Sequence, residues 1–248
     1  MIREVRIAVQ FLTRIPVGTP AYREGDLRAA TGAFPLVGLF VAAIVIGVRW
    51  LAGLALPDVA ATVLAIAAGA LATGAFHEDG LADTFDGLWG GATAEDRLAI
   101  MRDSRLGTYG TFALVVAFAL RLALLAPLEL GAFAAAVAVG AVLGRASSLP
   151  LLRWMPAATG SSAALAGAPT NASLVVAAVT VAVTLAVATG SWGWLPLVVA
   201  AIVTRVCAGV IRTKLGGITG DVLGATNQLV ELGAIASVVT LAARDLLG

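Results

Sequence analysis

Charged side chains are scarce in this sequence. Asp, Glu, Lys and Arg make up 12% of its 248 residues, roughly half the share usual for a soluble domain. With 60% of residues hydrophobic and a mean hydropathy of +0.97, a soluble chain would have too little polar material to cover its surface. Cysteine occurs once, as Cys207 inside an apolar run, which excludes an intrachain disulfide and a thiolate metal cluster. Sixteen basic residues stand against fifteen acidic ones, for a net charge of +1, so no basic field points to nucleic acid. No secretory signal is legible either. Arg3, Glu4 and Arg6 precede only a short apolar segment, and the first true span is expected to act as the targeting element.

What the sequence has in quantity is apolar runs about as long as the bilayer hydrocarbon is thick. They are continuous rather than alternating, which excludes a β-barrel. The expected fold is therefore all-α, a polytopic helical bundle in one domain over 1–248, with 1–32 as an interfacial amino-terminal segment. About seven spans are expected (six to eight on the same evidence), near 33–56, 57–76, 110–128, 131–150, 173–190, 195–212 and 229–246. Arg49 falls late in the first and Arg121 inside the third. With seven spans, the segments 1–32, 77–109, 151–172 and 213–228 share one side. They carry most of the basic residues, from Arg3 to Lys214. The positive-inside rule makes that side cytoplasmic, in a bacterial inner membrane. Every polar motif falls on this face.

The most acidic of these motifs, FHEDGLADTFDGLWGG at 76–91, follows some twenty almost uncharged residues and contains the single histidine, His77. If the second span continues as a helix past residue 76, Asp79, Asp83 and Asp86 lie within roughly 60° of one another. Gly90 lies on the same stripe, where it would let a ligand approach the backbone. Three carboxylates a turn apart repel unless a cation sits among them. Oxygen ligands without Cys or His at suitable spacing favour Mg²⁺ or Mn²⁺ over Zn²⁺. Mg²⁺ held by a few carboxylates completes its shell with water and phosphate oxygens, so a phosphorylated or diphosphate substrate is expected. The bland alternative is a solvated acidic loop. Glu78 points about 100° off the stripe and is a candidate for a second metal or for supporting the ligands. His77, on the far side, reads as structural.

Two further motifs join it. In MRDSRLGTYG, at 101–110, Arg102 and Arg105 are suited to phosphate oxygens, with Asp103 and the Ser104 hydroxyl between them. Asp103 can position an arginine, bind metal or act as a base, while Arg97 reads as a membrane anchor. In GGITGDVLGATNQLVE, at 216–231, Asp221, Gly224 and Gln228 share a face if helical. Asp221 is a candidate metal or substrate ligand, and Asn227 and Gln228 are candidate hydrogen-bonders to a base or amide.

These stretches, together with FLTRIPV and GRASS, occur in the same order as in adenosylcobinamide-GDP ribazoletransferase, the cobalamin synthase family, which the sequence resembles over nearly its whole length. The resemblance implies an enzyme of the cytoplasmic membrane that joins adenosylcobinamide-GDP to α-ribazole or its 5′-phosphate. GMP is released and adenosylcobalamin or its phosphate is formed, with Mg²⁺ required. It is compatible with a homo-oligomer or with association with other enzymes of the pathway. On that reading Asp79, Asp83 and Asp86, with Glu78, serve the metal; Arg102 and Arg105 face the leaving GMP; Asp86 or Asp103 acts as base. The acidic motif also resembles, in part and with different spacing, that of the CDP-alcohol phosphotransferases. A transporter would call for ionisable residues near the bilayer midplane and for related halves, and Arg121 is the one strong midplane candidate.

Overall fold

In lipid a backbone must satisfy its own hydrogen bonds, which leaves helix as the solution for runs of this composition. The computed structural model describes residues 2–18, 23–158 and 167–247. Among them lie helices α1 (Ile2–Leu12), α2 (Asp26–Ala30), α3 (Phe34–Gly53), α4 (Asp58–Thr73), α5 (Phe76–Gly90), α6 (Ala94–Met101), α7 (Thr108–Leu125), α8 (Leu130–Ala146), α9 (Ser148–Trp154), α10 (Asn171–Thr189), α11 (Trp194–Leu215) and α12 (Gly220–Ala242). Six stretches are long and apolar enough to cross a membrane: Asp26–Gly53, Thr108–Leu125, Leu130–Trp154, Asn171–Trp192, Trp194–Leu215 and Gly220–Ala242. The pair α4 and α5 passes the same test jointly and makes a seventh, but it is bent by 88°. The chain is a polytopic helical bundle.

That bend corrects the expectation of one straight helix running through residue 76. At the end of α4 the Ala75 N–H reaches back to Ala70 O (2.7 Å) and the Gly74 N–H to Leu71 O (3.1 Å), the paired closure of a Schellman motif. Gly74 and Ala75 both have left-handed backbones, at φ 67° and 55°. Glycine takes that conformation freely, while alanine there is held at a cost of about 1 kcal/mol. Arg14 covers the turn: its N–H donates to Ala72 O (2.8 Å), and its side chain fills the space a Cβ at Gly74 would need. The chain then restarts as α5, with Glu78 and Asp79 in the first turn, where carboxylates suit the positive end of a helix.

Close packing of the bundle depends on small residues at helix crossings. A Cβ at Gly38 of α3 would sit 2.6 Å from Ala141 O of α8, and one at Gly144 of α8 would sit 3.0 Å from Asn227 O of α12. At Gly80 of α5 the nearest atom would be Asp221 O of α12, at 2.7 Å, and Gly224 answers from the α12 side, close to His77 and Gly80. The main core runs between α1, α3, α8 and α12, around the fully buried Phe133. Arg49, which looked out of place in the first span, pairs with Asp58 across the α3–α4 turn (2.6 Å) and lies over the Phe133 ring.

The last span begins at Gly220, earlier than the expected 229. Its first turns are polar and rich in glycine, which reads as loop in sequence. In the fold they are buried between α5 and α8, and Thr219 caps the helix by accepting from the Val222 N–H (3.2 Å). The preceding loop is clamped by Ala157–Ile218 pairing, with Ala158 N–H to Ile218 O at 2.8 Å.

Because Gly80 sets how closely α5 lies on α12, Gly80→Leu should lower stability by about 1–3 kcal/mol through overpacking. Gly47→Leu, where a Cβ would meet nothing within 4 Å, should be near neutral. Thermal unfolding of both variants in one detergent checks this, and equal midpoints would contradict the packing assignment.

Candidate active site

Helix α5 has two chemically different faces. Asp79 is exposed and Asp83 half-buried on the outer one. Among the described residues neither side chain has a hydrogen-bond or ion-pair partner. The contact of Gly80 with the Asp221 backbone brings the start of α12 to the same place. Asp221 is half-buried there, and the side-chain bond recorded for it is from the Thr219 hydroxyl (3.3 Å). Three carboxylates therefore flank one helix crossing without a cation to balance them. As they stand, no three Asp, Glu, His or Cys side chains among the described residues form a metal-binding group. The donor set nevertheless has the right chemistry for a hard divalent cation, being all oxygen with lone pairs uncommitted.

Asp86, placed by sequence on the same stripe, has a different task. It is buried, and its two oxygens accept the Gly107 N–H (2.8 Å) and the Gly110 N–H (2.9 Å) at the start of α7. An anion at a helix N-terminus is favourable both for the dipole and for the free N–H groups. A Cβ at either glycine would run into that carboxylate, which explains both glycines of the LGTYG stretch. Gly90 also differs from its sequence reading: what comes close to it is the Ile100 side chain of α6, 3.2 Å from a built Cβ.

Glu78 turns to the inner face of α5, as its 100° offset dictates. Gln228 Nε2 donates to Glu78 Oε1 (3.1 Å), while Gln228 Oε1 accepts from Arg121 Nη2 (2.7 Å). Arg121 also pairs with Glu231 (3.3 Å), which has Arg145 at 3.8 Å on its other side. Two guanidinium groups and two carboxylates thus balance inside the bundle, next to buried His77. The cavity they line measures about 50 Å³, far too small for a nucleotide. This cluster joins α5, α7, α8 and α12 and fixes the rotation of α5, so that Asp79 and Asp83 face outward. Gln228, read from sequence as a substrate contact, is a member of this cluster. Asn227 is buried against Gly144 of α8.

The arginine loop lies at the same end of the bundle. Asp103 and Arg105 bind each other in fork geometry, with Nη2 to Oδ2 at 2.6 Å, and the Arg105 side chain is 88% exposed. While the two are paired, Arg105 holds the Asp103 carboxyl below its ordinary range. Arg102 and Ser104 are exposed, and Arg102 Nε donates to Leu98 O (3.0 Å). Arg97 fastens α6 to the end of α11 through Lys214 O (3.1 Å).

Comparison with known proteins gives this arrangement its context. Residues 4–239 match the family described as cobalamin-5-phosphate synthase. The chain belongs to that family. Among curated relatives, the adenosylcobinamide-GDP ribazoletransferase of Rhizobium etli (strain CIAT 652) is 38% identical, over 94% of this chain and 95% of the relative. Those of Bradyrhizobium diazoefficiens and Shewanella frigidimarina are 39% and 40% identical, over 94% and 91% of this chain and 91% and 90% of the relatives. No solved structure matches. Membership of the cobalamin-5-phosphate synthase family makes the chain a transferase of cobalamin biosynthesis. The sequence motifs of that resemblance are those that meet around α5.

Sequence reasoning missed Arg145 and Glu231 as a pair. The available signal was their cost: ionisable residues inside spans need partners, and Arg121, Arg145 and Glu231 all fall within apolar helices. Removing one partner of a buried pair leaves an uncompensated charge, at about 3–5 kcal/mol. Glu231→Gln should therefore cost that much, whereas Asp103→Asn in the exposed pair with Arg105 should cost about 1 kcal/mol or less. Unfolding free energies in one detergent provide the check, and equal losses would count against the cluster.

Proposed function

We propose that this chain joins adenosylcobinamide-GDP to α-ribazole or α-ribazole 5′-phosphate, releasing GMP and forming adenosylcobalamin or its 5′-phosphate. The observation that carries this reading is the family match over residues 4–239, which takes in all three motifs. The uncompensated carboxylates at the α5–α12 crossing and the exposed arginines of 102–105 support it, since they suit a metal-bound diphosphate. The excess of basic residues at this end supports placing it in the cytoplasm, in a bacterial inner membrane.

In the reaction a ribazole hydroxyl oxygen bonds to the phosphorus on the cobinamide side, and the bond from that phosphorus to the bridging oxygen of GMP breaks. Catalysis of such transfers is mostly positioning and charge neutralisation. Asp79, Asp83 and Asp221 are the residues that would hold Mg²⁺ or Mn²⁺, and the ion would supply positive charge to the diphosphate oxygens. Arg105 is poised to exchange Asp103 for a phosphate oxygen in the same fork geometry. Arg102 and Ser104 add donors beside it, against the charge that gathers on departing GMP. Asp86 keeps the start of α7, and hence this loop, in register with α5. With Asp86 committed to backbone N–H groups, the hydroxyl proton passes to Asp103, freed as Arg105 turns to the phosphate, or to solvent at the exposed rim.

Asp83→Asn should reduce ribazole-dependent GMP release by about 10²-fold or more, with the protein still inserted in the membrane. Chelation of divalent ions should abolish turnover of the unaltered chain, and added Mg²⁺ should restore it. Near-normal turnover by Asp83→Asn, or in chelator, would overturn the metal assignment. Arg105→Gln should impair turnover far more than Arg97→Gln at matched amounts of folded protein, and the reverse order would show that the arginines are assigned wrongly.

A further inference from the structure

A second site lies in a groove of about 720 Å³ between α8–α9, α10 and α11 that shares no lining residue with the α5 carboxylates. It runs along α11 from Leu197 to Thr213, a length of about 24 Å at 1.5 Å per residue. Its deeper half is apolar, formed by Leu143, Val181, Leu197 and Ala201. The half toward the motif-bearing end carries Arg205 and Arg212, two turns apart on one face of α11. Gly209 lies between them, and a Cβ built on it would be 3.7 Å from Arg205 Nη1. The guanidinium is therefore laid along the helix toward Arg212.

Neither arginine has a hydrogen-bond or ion-pair partner among the described residues, and no acidic side chain lines the groove. Arg205 nevertheless sits about 15 Å from the end of its helix. Only 22% of the apolar stretch of α11 is buried inside the chain, against 61% for α12, so this helix faces lipid. A charged residue at such depth calls for a partner. A second copy whose two-fold axis passes through the groove would bring these arginines against themselves, without the anion they call for.

We propose that the groove binds one anionic phospholipid, its acyl chain along the apolar half and its phosphate between Arg205 and Arg212. This inference does not rest on the reaction proposed above. It is tested on the full chain reconstituted in phosphatidylcholine bilayers with a minority of phosphatidylglycerol, then extracted in mild detergent and examined by native mass spectrometry. Phosphatidylglycerol should be retained in preference to phosphatidylcholine. Arg205→Gln with Arg212→Gln should reduce that preference about tenfold or more. Ala201→Phe, which keeps both arginines and fills the apolar half, should reduce retention as well and decides the matter if the double variant does not fold. Unchanged phosphatidylglycerol retention in the variants, equal retention of the two lipids, or displacement by excess inorganic phosphate would overturn the proposal.

Discussion

Glu231 lies between Arg121 and Arg145 in the interior of an otherwise apolar bundle, and the arrangement of the polar end depends on that grouping. Each charge would be costly alone at this depth. Together with Glu78, and with Gln228 as the bridge, they balance one another's charge across four helices. A buried cluster of this kind contributes less to stability than its Coulomb energy suggests. What it supplies here is orientation, because only one rotation of α5 places Glu78 against Gln228.

That rotation has consequences on the opposite side of the same helix. Asp79 and Asp83 face outward, beside the crossing where Gly80 lets α5 lie on the Asp221 backbone of α12. One turn later, Asp86 reaches the N-terminus of α7 and ties down the loop that carries Arg102 and Arg105. The 88° bend at Gly74–Ala75 makes this geometry available. A straight continuation of α4 would carry the acidic residues away from α7 and α12. Inner face, outer face and bend thus form one device, with rigid helices rather than loops presenting the carboxylates.

Much of this was legible in the sequence, and the exceptions have physical causes. Helical spans followed from apolar length alone, and the helical stripe of acidic residues follows from a 100° step that α5 obeys. Gly74 is a helix-stop signal, but the bend was hidden because that glycine stands in a continuous apolar run and left-handed Ala75 leaves no compositional trace. The start of α12 was read as loop because its glycines and polar residues look solvated until α5 and α8 cover them. Asp86 could not be told from Asp79 and Asp83 by spacing, since what distinguishes it is the backbone N–H groups of Gly107 and Gly110, remote in sequence. Arg145 belongs to GRASS, Glu78 to the motif at 76–91, and Gln228 and Glu231 to that at 216–231, and only the tertiary fold brings the three motifs together.

The central claim is that the metal-diphosphate site lies at the α5–α12 crossing and is formed by Asp79, Asp83 and Asp221, with Asp86 supporting it through α7. Electron paramagnetic resonance of Mn²⁺ bound to the full chain in detergent, with adenosylcobinamide-GDP present, tests it most directly. The account predicts that Asp221→Asn weakens Mn²⁺ binding about tenfold or more, the scale of a lost charge-assisted contact, while Asp86→Asn leaves the affinity nearly unchanged. Loss of binding in Asp86→Asn with full binding in Asp221→Asn would contradict it.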